Sequence, residues 1–190
     1  MDRARATFQK SLSICRDLED AEGNALSLLY LGYATHMLGD EASSSTLLEE
    51  SLAVFEDLGD SRGVAEVLLE QGRVAHAQGN DTRAASLCRE SLAFSSKLDN
   101  KSHIAFCLTV LAGVIQATGD AARAARLFGV AETLLESLDA VLDPAGTLEY
   151  EDNLAATRAQ MSQRAFAKAW REGKKMAHEQ TITEAMNNSS

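Results

Sequence analysis

Two histidines, His36 and His76, stand 40 residues apart, and paired imidazoles can bind a metal when a third histidine or a carboxylate completes the set. No such residue joins them at a matching position, so duplicated surface histidines are the favoured reading, and no metal or cofactor is expected. His103 and His178 have no partner either. The three cysteines, Cys15, Cys88 and Cys107, are odd in number and lack CxxC spacing. Cys15 aligns with Phe55, and Cys88 with Phe8, Leu48 and Phe128, positions where a small core filler is expected. Gly173-Lys174 lacks the upstream glycine of a phosphate-binding loop, and neither HExxH nor GxSxG occurs. No catalytic residues are expected. The chemistry open to this chain is binding.

What must position any binding residues is a unit repeated every 40 residues. Gly39-Asp40 recurs as Gly79-Asn80 and Gly119-Asp120, Ser11-Leu12 as Ser51-Leu52 and Ser91-Leu92, and Leu18 as Leu58, Leu98 and Leu138. Gly32 returns as Gly72 and then as Ala112. A fixed period of this length marks a solenoid of stacked supersecondary units, none able to bury its apolar face alone. With a single proline, Pro144, and glycine mostly at recurring positions, the chain is expected to be all-α.

The totals bound the partners. Of 190 residues, 45% are hydrophobic and 24% charged, as in a folded chain, with disorder expected only at Asn187 to Ser190. Net charge is −10, with 28 acidic against 18 basic side chains, so nucleic acid is disfavoured because its phosphates call for a basic face. No apolar run approaches the length of about 20 residues that spans a bilayer, so no membrane is expected. With no signal pattern at the N-terminus, a reducing cytoplasm is the expected compartment.

Along the chain, a half unit at 1–20 carries Phe8, Leu12, Cys15 and Leu18 on one stripe, and whole units follow at 21–60, 61–100 and 101–143. The unpaired first helix, exposing Phe8 and Leu12, would allow a homodimer. Within a unit the first helix (about Glu22 to Leu38, then Val64, Leu68, Gly72 and Ala75, then Ile104, Leu108, Ala112 and Ile115 inward) meets a second. The second buries Leu48, Leu52, Phe55 and Leu58, and later Ala124, Leu127, Phe128, Ala131, Leu135 and Leu138. A glycine accepts the left-handed geometry at the corner, and the next Asp caps the following helix. After Leu138 the period breaks. Pro144 starts a helix from about Ala145 to Gln160, Ser162 to about Glu172 forms another with Trp170 as plug and Gly173 with Lys174 and Lys175 as its end, and Thr183 to Asn187 adds a turn. Residues 144–190 are thus capping helices and tail.

These residues resemble a tetratricopeptide repeat. Its pattern maps onto Leu28, Leu31, Gly32, Ser44, Leu48 and Ser51, then Leu68, Gln71, Gly72, Ala84, Cys88 and Ser91, then Leu108, Leu111, Ala112, Ala124, Phe128 and Ala131. The period exceeds the usual length of about 34, so a longer-helix variety is implied. The stretch from Ala155 to Met186, through Phe166, Ala169, Trp170, Gly173 and Glu184-Ala185, is similar to the close of large bacterial signal-transduction ATPases and transcriptional regulators that end in such repeats. That resemblance implies a C-terminal fragment of a regulator, folded as a right-handed superhelical solenoid of antiparallel helix pairs. It also implies a concave face lined by first helices, with Tyr30, Tyr33, His36, Met37, Glu70, Arg73, His76, Val110 and Gln116 at ligand-contacting positions. The expected partner is a peptide or protein segment, another domain of the parent chain included.

Overall fold

In the computed structural model, which describes residues 2–142 and 144–187, the described residues form ten α-helices and no strand. In order these are α1 (Asp2–Asp17), α2 (Ala21–His36), α3 (Glu41–Leu58), α4 (Ser61–Ala77), α5 (Asp81–Lys97), α6 (Lys101–Ala117), α7 (Ala121–Leu138), α8 (Pro144–Ala159), α9 (Gln163–Lys174) and α10 (His178–Met186). From α1 to α7 each helix packs on the next in sequence. The architecture is that of a helical repeat.

The regularity resides in the corners. A residue with positive φ stands at 19, 39, 59, 79, 99, 119 and 139, one every 20 residues. Glycine fills four of these and Glu19, Asp99 and Asp139 the rest, the aspartates being residues that tolerate the left-handed region. At each of the first six, the next residue is an Asp or Asn whose side chain caps the following helix. Asp20, Asp40, Asp60, Asn80, Asn100 and Asp120 accept from the backbone N–H of Gly23, Ser43, Arg62, Arg83, His103 and Arg123. Backward bonds complete the corner, with the Gly39 N–H donating to His36 O at 2.8 Å and the Asp40 N–H to Thr35 O at 3.2 Å. After Asp139 comes Ala140, which has no capping side chain. The rhythm stops there.

Between the corners, paired positions trade volume. A Cβ on Gly32 would come within 2.9 Å of the Leu48 side chain, and one on Gly72 within 2.8 Å of Cys88 Sγ, while the third unit seats Ala112 and Phe128, both fully buried. Cys88 is therefore a core filler. Cys107 is also fully buried, whereas Cys15 is only half-buried, beside Ser27. Buried serines bind carbonyls of the neighbouring helix: Ser51 Oγ donates to Ala25 O at 2.8 Å and Ser91 Oγ to Ala65 O at 2.6 Å.

Two expectations need correcting. Leu18, Leu58 and Leu138 do not point inward; Leu18 is 72% and Leu58 47% exposed, because each lies at the corner where its helix leaves the stack. Nor is α1 left without a partner: Leu12 is buried with Leu28 and Leu31, and the half-buried Phe8 stacks on Tyr30 at 5.5 Å. Gly173 lies in the last turn of α9, which ends at Lys174 with Lys175 as its cap residue, as expected. It sits buried inside α9, where a Cβ would overlap the carbonyl oxygen of Arg126 on α7, and Gly129 allows the reciprocal approach of the Trp170 carbonyl.

The end of the chain covers the stack on two sides. Helix α9 packs along α7, with Phe166 and Trp170 partly buried against the core. Helix α10 is longer than a turn, and its last carbonyls are held by arginines: Arg123 donates to Glu184 O at 2.6 Å and also to Asn187 O, and Arg89 to Ala185 O at 3.1 Å. Arg126 binds the Glu184 carboxylate at 2.6 Å. Cations at a helix C-terminus complement its dipole. Residues 188–190 lie outside the described residues, as does the side chain of His178.

Candidate functional site

The first-helix positions expected to meet a ligand lie along or at the end of α2, α4 and α6, and the face that these helices share is divided in two. Over the third unit it is covered by the chain itself. Helix α8 lies there, packed on α6 and α7: Asn153 fills the space above Gly113, Gln160 Nε2 donates to Gln116 O at 3.4 Å, and Tyr150 meets the Phe128 ring edge-on at 5.5 Å. Burial pushes the Tyr150 phenol up to about 12, with the charge of Glu132 adding to it. Val110 is 3% exposed and Gln116 half-buried, so neither opens to a ligand. Sequence reasoning could not have foreseen this, because α8 lies beyond the last repeat.

Over the first two units the face remains open as a cleft of about 630 Å³. Helix α2 contributes Leu29, Tyr30, Tyr33 and Ala34, and α4 contributes Glu66, Leu69, Glu70 and Arg73. Ala4 and Phe8 of α1, His103 and Phe106 of α6, and Val141 and Leu142 of the α7–α8 link complete the wall. Of the expected residues, then, Tyr30, Tyr33, Glu70 and Arg73 come together here. Glu66 and Phe106 were not anticipated, although they share one repeat position and lie one turn further along the same face. The α1 and link residues had no comparable signal.

Arg73 is the electrostatic centre of the cleft. It is 8% exposed and ion-paired with Glu70 on its own helix, at 3.3 Å, and with Glu149 on α8. Burial works to lower its affinity for a proton, but Glu70 and Glu149 outweigh that and raise it. Tyr30, 43% exposed at the rim, has its phenol raised by burial and then by the negative charge of Glu66, with Arg62 opposing. Glu66 takes Arg62 as its partner at 3.3 Å. His103 is held toward its neutral form by burial, its Nε2 lying 3.2 Å from both Ala65 O and Ser91 Oγ.

The repeated histidines turn away from the cleft. His36 Nδ1 lies 2.6 Å from Glu41 Oε2, and His76 Nδ1 lies 2.6 Å from Asp81 Oδ1. Carboxylates do therefore join them at matching positions, contrary to the sequence-based expectation, and each pair bridges the corner of its own hairpin. In the third unit Gln116 and Ala121 replace both partners together. Met37, the residue that ends α2, is half-buried outside the cleft wall. Among the described residues no cluster of three or more His, Cys, Asp or Glu could hold a metal, and no helix is long and apolar enough to cross a membrane.

No family model matches the chain, and no curated protein matches it.

Proposed function

We propose that this chain is a tetratricopeptide-like interaction and sensing module, a right-handed superhelical solenoid that binds a peptide or protein segment in the cleft over its first two units. The observation that carries this is α8. A helix already occupies the same face one unit further on, seated on Gly113 and Gln116 and tied back to Arg73 through Glu149, so the groove is a surface whose shape and spacing accept a helical segment. The open part continues that track and ends at Val141 and Leu142, where the link to α8 begins. Its carboxylates, guanidinium and imidazole each have a protein partner: Glu66 has Arg62, Glu70 has Arg73, Arg73 also has Glu149 of α8, and His103 has the Ala65 carbonyl. Groups fixed in this way suit recognition rather than proton transfer.

The resemblance of the ending to bacterial signalling regulators supports reading the module as part of a longer parent that carries a nucleotide-driven switch. Occupancy of the cleft would then favour one arrangement of that switch. The test is selection of displayed peptides against the intact chain, followed by titration of the selected peptides into Tyr30→Ala and Tyr33→Ala variants. Both should weaken binding about tenfold or more while helicity stays unchanged. Unchanged affinity in both would remove the cleft from consideration.

A further inference from the structure

The cleft has a sign as well as a shape. Counting the wall and the residue directly behind it, the carboxylates Glu66, Glu70 and Glu149 face a single buried cation, Arg73, which is already committed to two of them. Arg62 reaches Glu66 from outside, where its side chain is 72% exposed. Opposite the carboxylates of α4, and spaced like them by one helical turn, stand the rings of Tyr30 and Tyr33 on α2, with Phe8 and Phe106 flanking. Acid groups facing aromatic faces make an environment for a cation, and more for a planar guanidinium, which stacks on a ring while it hydrogen-bonds a carboxylate. An acidic ligand would meet Glu66 and Glu70, whose arginine partners are already engaged with them.

We infer that the segment bound in this cleft is anchored by a basic side chain, arginine above all, placed between Tyr30 and Glu66, with apolar neighbours against Leu29, Leu69 and Val141. This rests on the peptide-binding reading and gives it a chemical class. The volume of about 630 Å³ is larger than one side chain fills, and Phe8, Leu29, Leu69, Phe106, Val141 and Leu142 supply apolar wall beside the charged groups, so the anchor belongs to a peptide with hydrophobic flanks and not to a free small cation.

The experiment uses the intact chain and two synthetic peptides, acetyl-Phe-Arg-Leu amide and the isostere with citrulline for arginine, which keeps the shape and removes the charge. Amide chemical shifts report both affinity and place. The arginine peptide should bind about tenfold tighter, perturb Tyr30, Glu66 and Leu69, and lose most of that preference in Glu66→Gln, whose helicity is checked by circular dichroism. Equal binding of the two peptides at the same residues would overturn the cation preference and leave the groove standing. Stronger binding of a glutamate-containing counterpart, or an arginine preference that Glu66→Gln does not reduce, would also overturn it. Absence of any perturbation by all the peptides would overturn both the anchor and the groove.

Discussion

Arg73 on α4 and Glu149 on α8 form an ion pair across 76 positions of the chain. It is the tie by which the segment after the last repeat is fixed to a helix two units back, and it marks the boundary between the covered and the open part of the groove.

Because Arg73 is buried and Glu149 is 30% exposed, the two ends of this pair should differ in their cost. Arg73→Met leaves Glu70 and Glu149 facing each other without a cation, and should destabilise the fold by about 3 kcal/mol in urea titrations. Glu149→Gln leaves Arg73 with Glu70 and should cost no more than about 1 kcal/mol. Adding Glu149→Gln to Arg73→Met should recover part of the larger loss. If Arg73→Met is as stable as the parent, α8 is not held from α4.

Two glycines test the difference between crowding and conformation. At Gly173 a methyl group would enter the Arg126 carbonyl, so Gly173→Ala must push α9 off α7, at about 3 kcal/mol. At Gly39, φ is +80° and nothing lies within 4 Å, so Gly39→Ala should cost only the left-handed strain, about 1 kcal/mol. Trp170 is the sole tryptophan and rides on α9, so its emission should shift toward that of the unfolded chain in the first variant and hold in the second.

His103 gives the fold a pH dependence of known sign. Burial lowers its folded pKa below the ordinary value of 6.5, with Arg62 and Arg73 acting in the same direction and the Ala65 carbonyl and Glu66 opposing. The unfolded chain therefore binds the extra proton first, and this contribution to stability is full above about pH 6.5 and is lost as pH falls from there toward the folded pKa. Unfolding midpoints taken from pH 7.5 to 5 should fall more steeply for the parent than for His103→Gln. Parallel curves would show that the imidazole does not carry the effect.

The repeat was readable because one corner solution recurs. An Asp or Asn after a left-handed residue has local causes, and the positions of α2 to α7 follow from it. The small position at Gly32, Gly72 and Ala112 was visible from the period, while Leu48 as the side chain packed on Gly32 came from the structure. Three further things were not visible. The corner leucines follow the helical stripe, yet the chain leaves the stack before they reach it. His36 and Glu41 are five residues apart but belong to different helices, and only the tight corner brings them together. The course of α8 depends on a salt bridge and on Asn153 over Gly113, contacts between parts of the chain that share no repeat. The third unit's share of the expected groove, Val110 and Gln116, was lost to it.

The corners at Gly39-Asp40 and Gly79-Asn80 are interchangeable joints. A chain without residues 41–80 would splice Asp40 to Asp81 and leave the hairpin on either side intact, much as a train loses one carriage. Helix α8 would then find Tyr33 where it now finds Arg73, with no cation for Glu149. The length of such an array is free to drift over generations, whereas what lies in its groove is tied to one particular number of carriages.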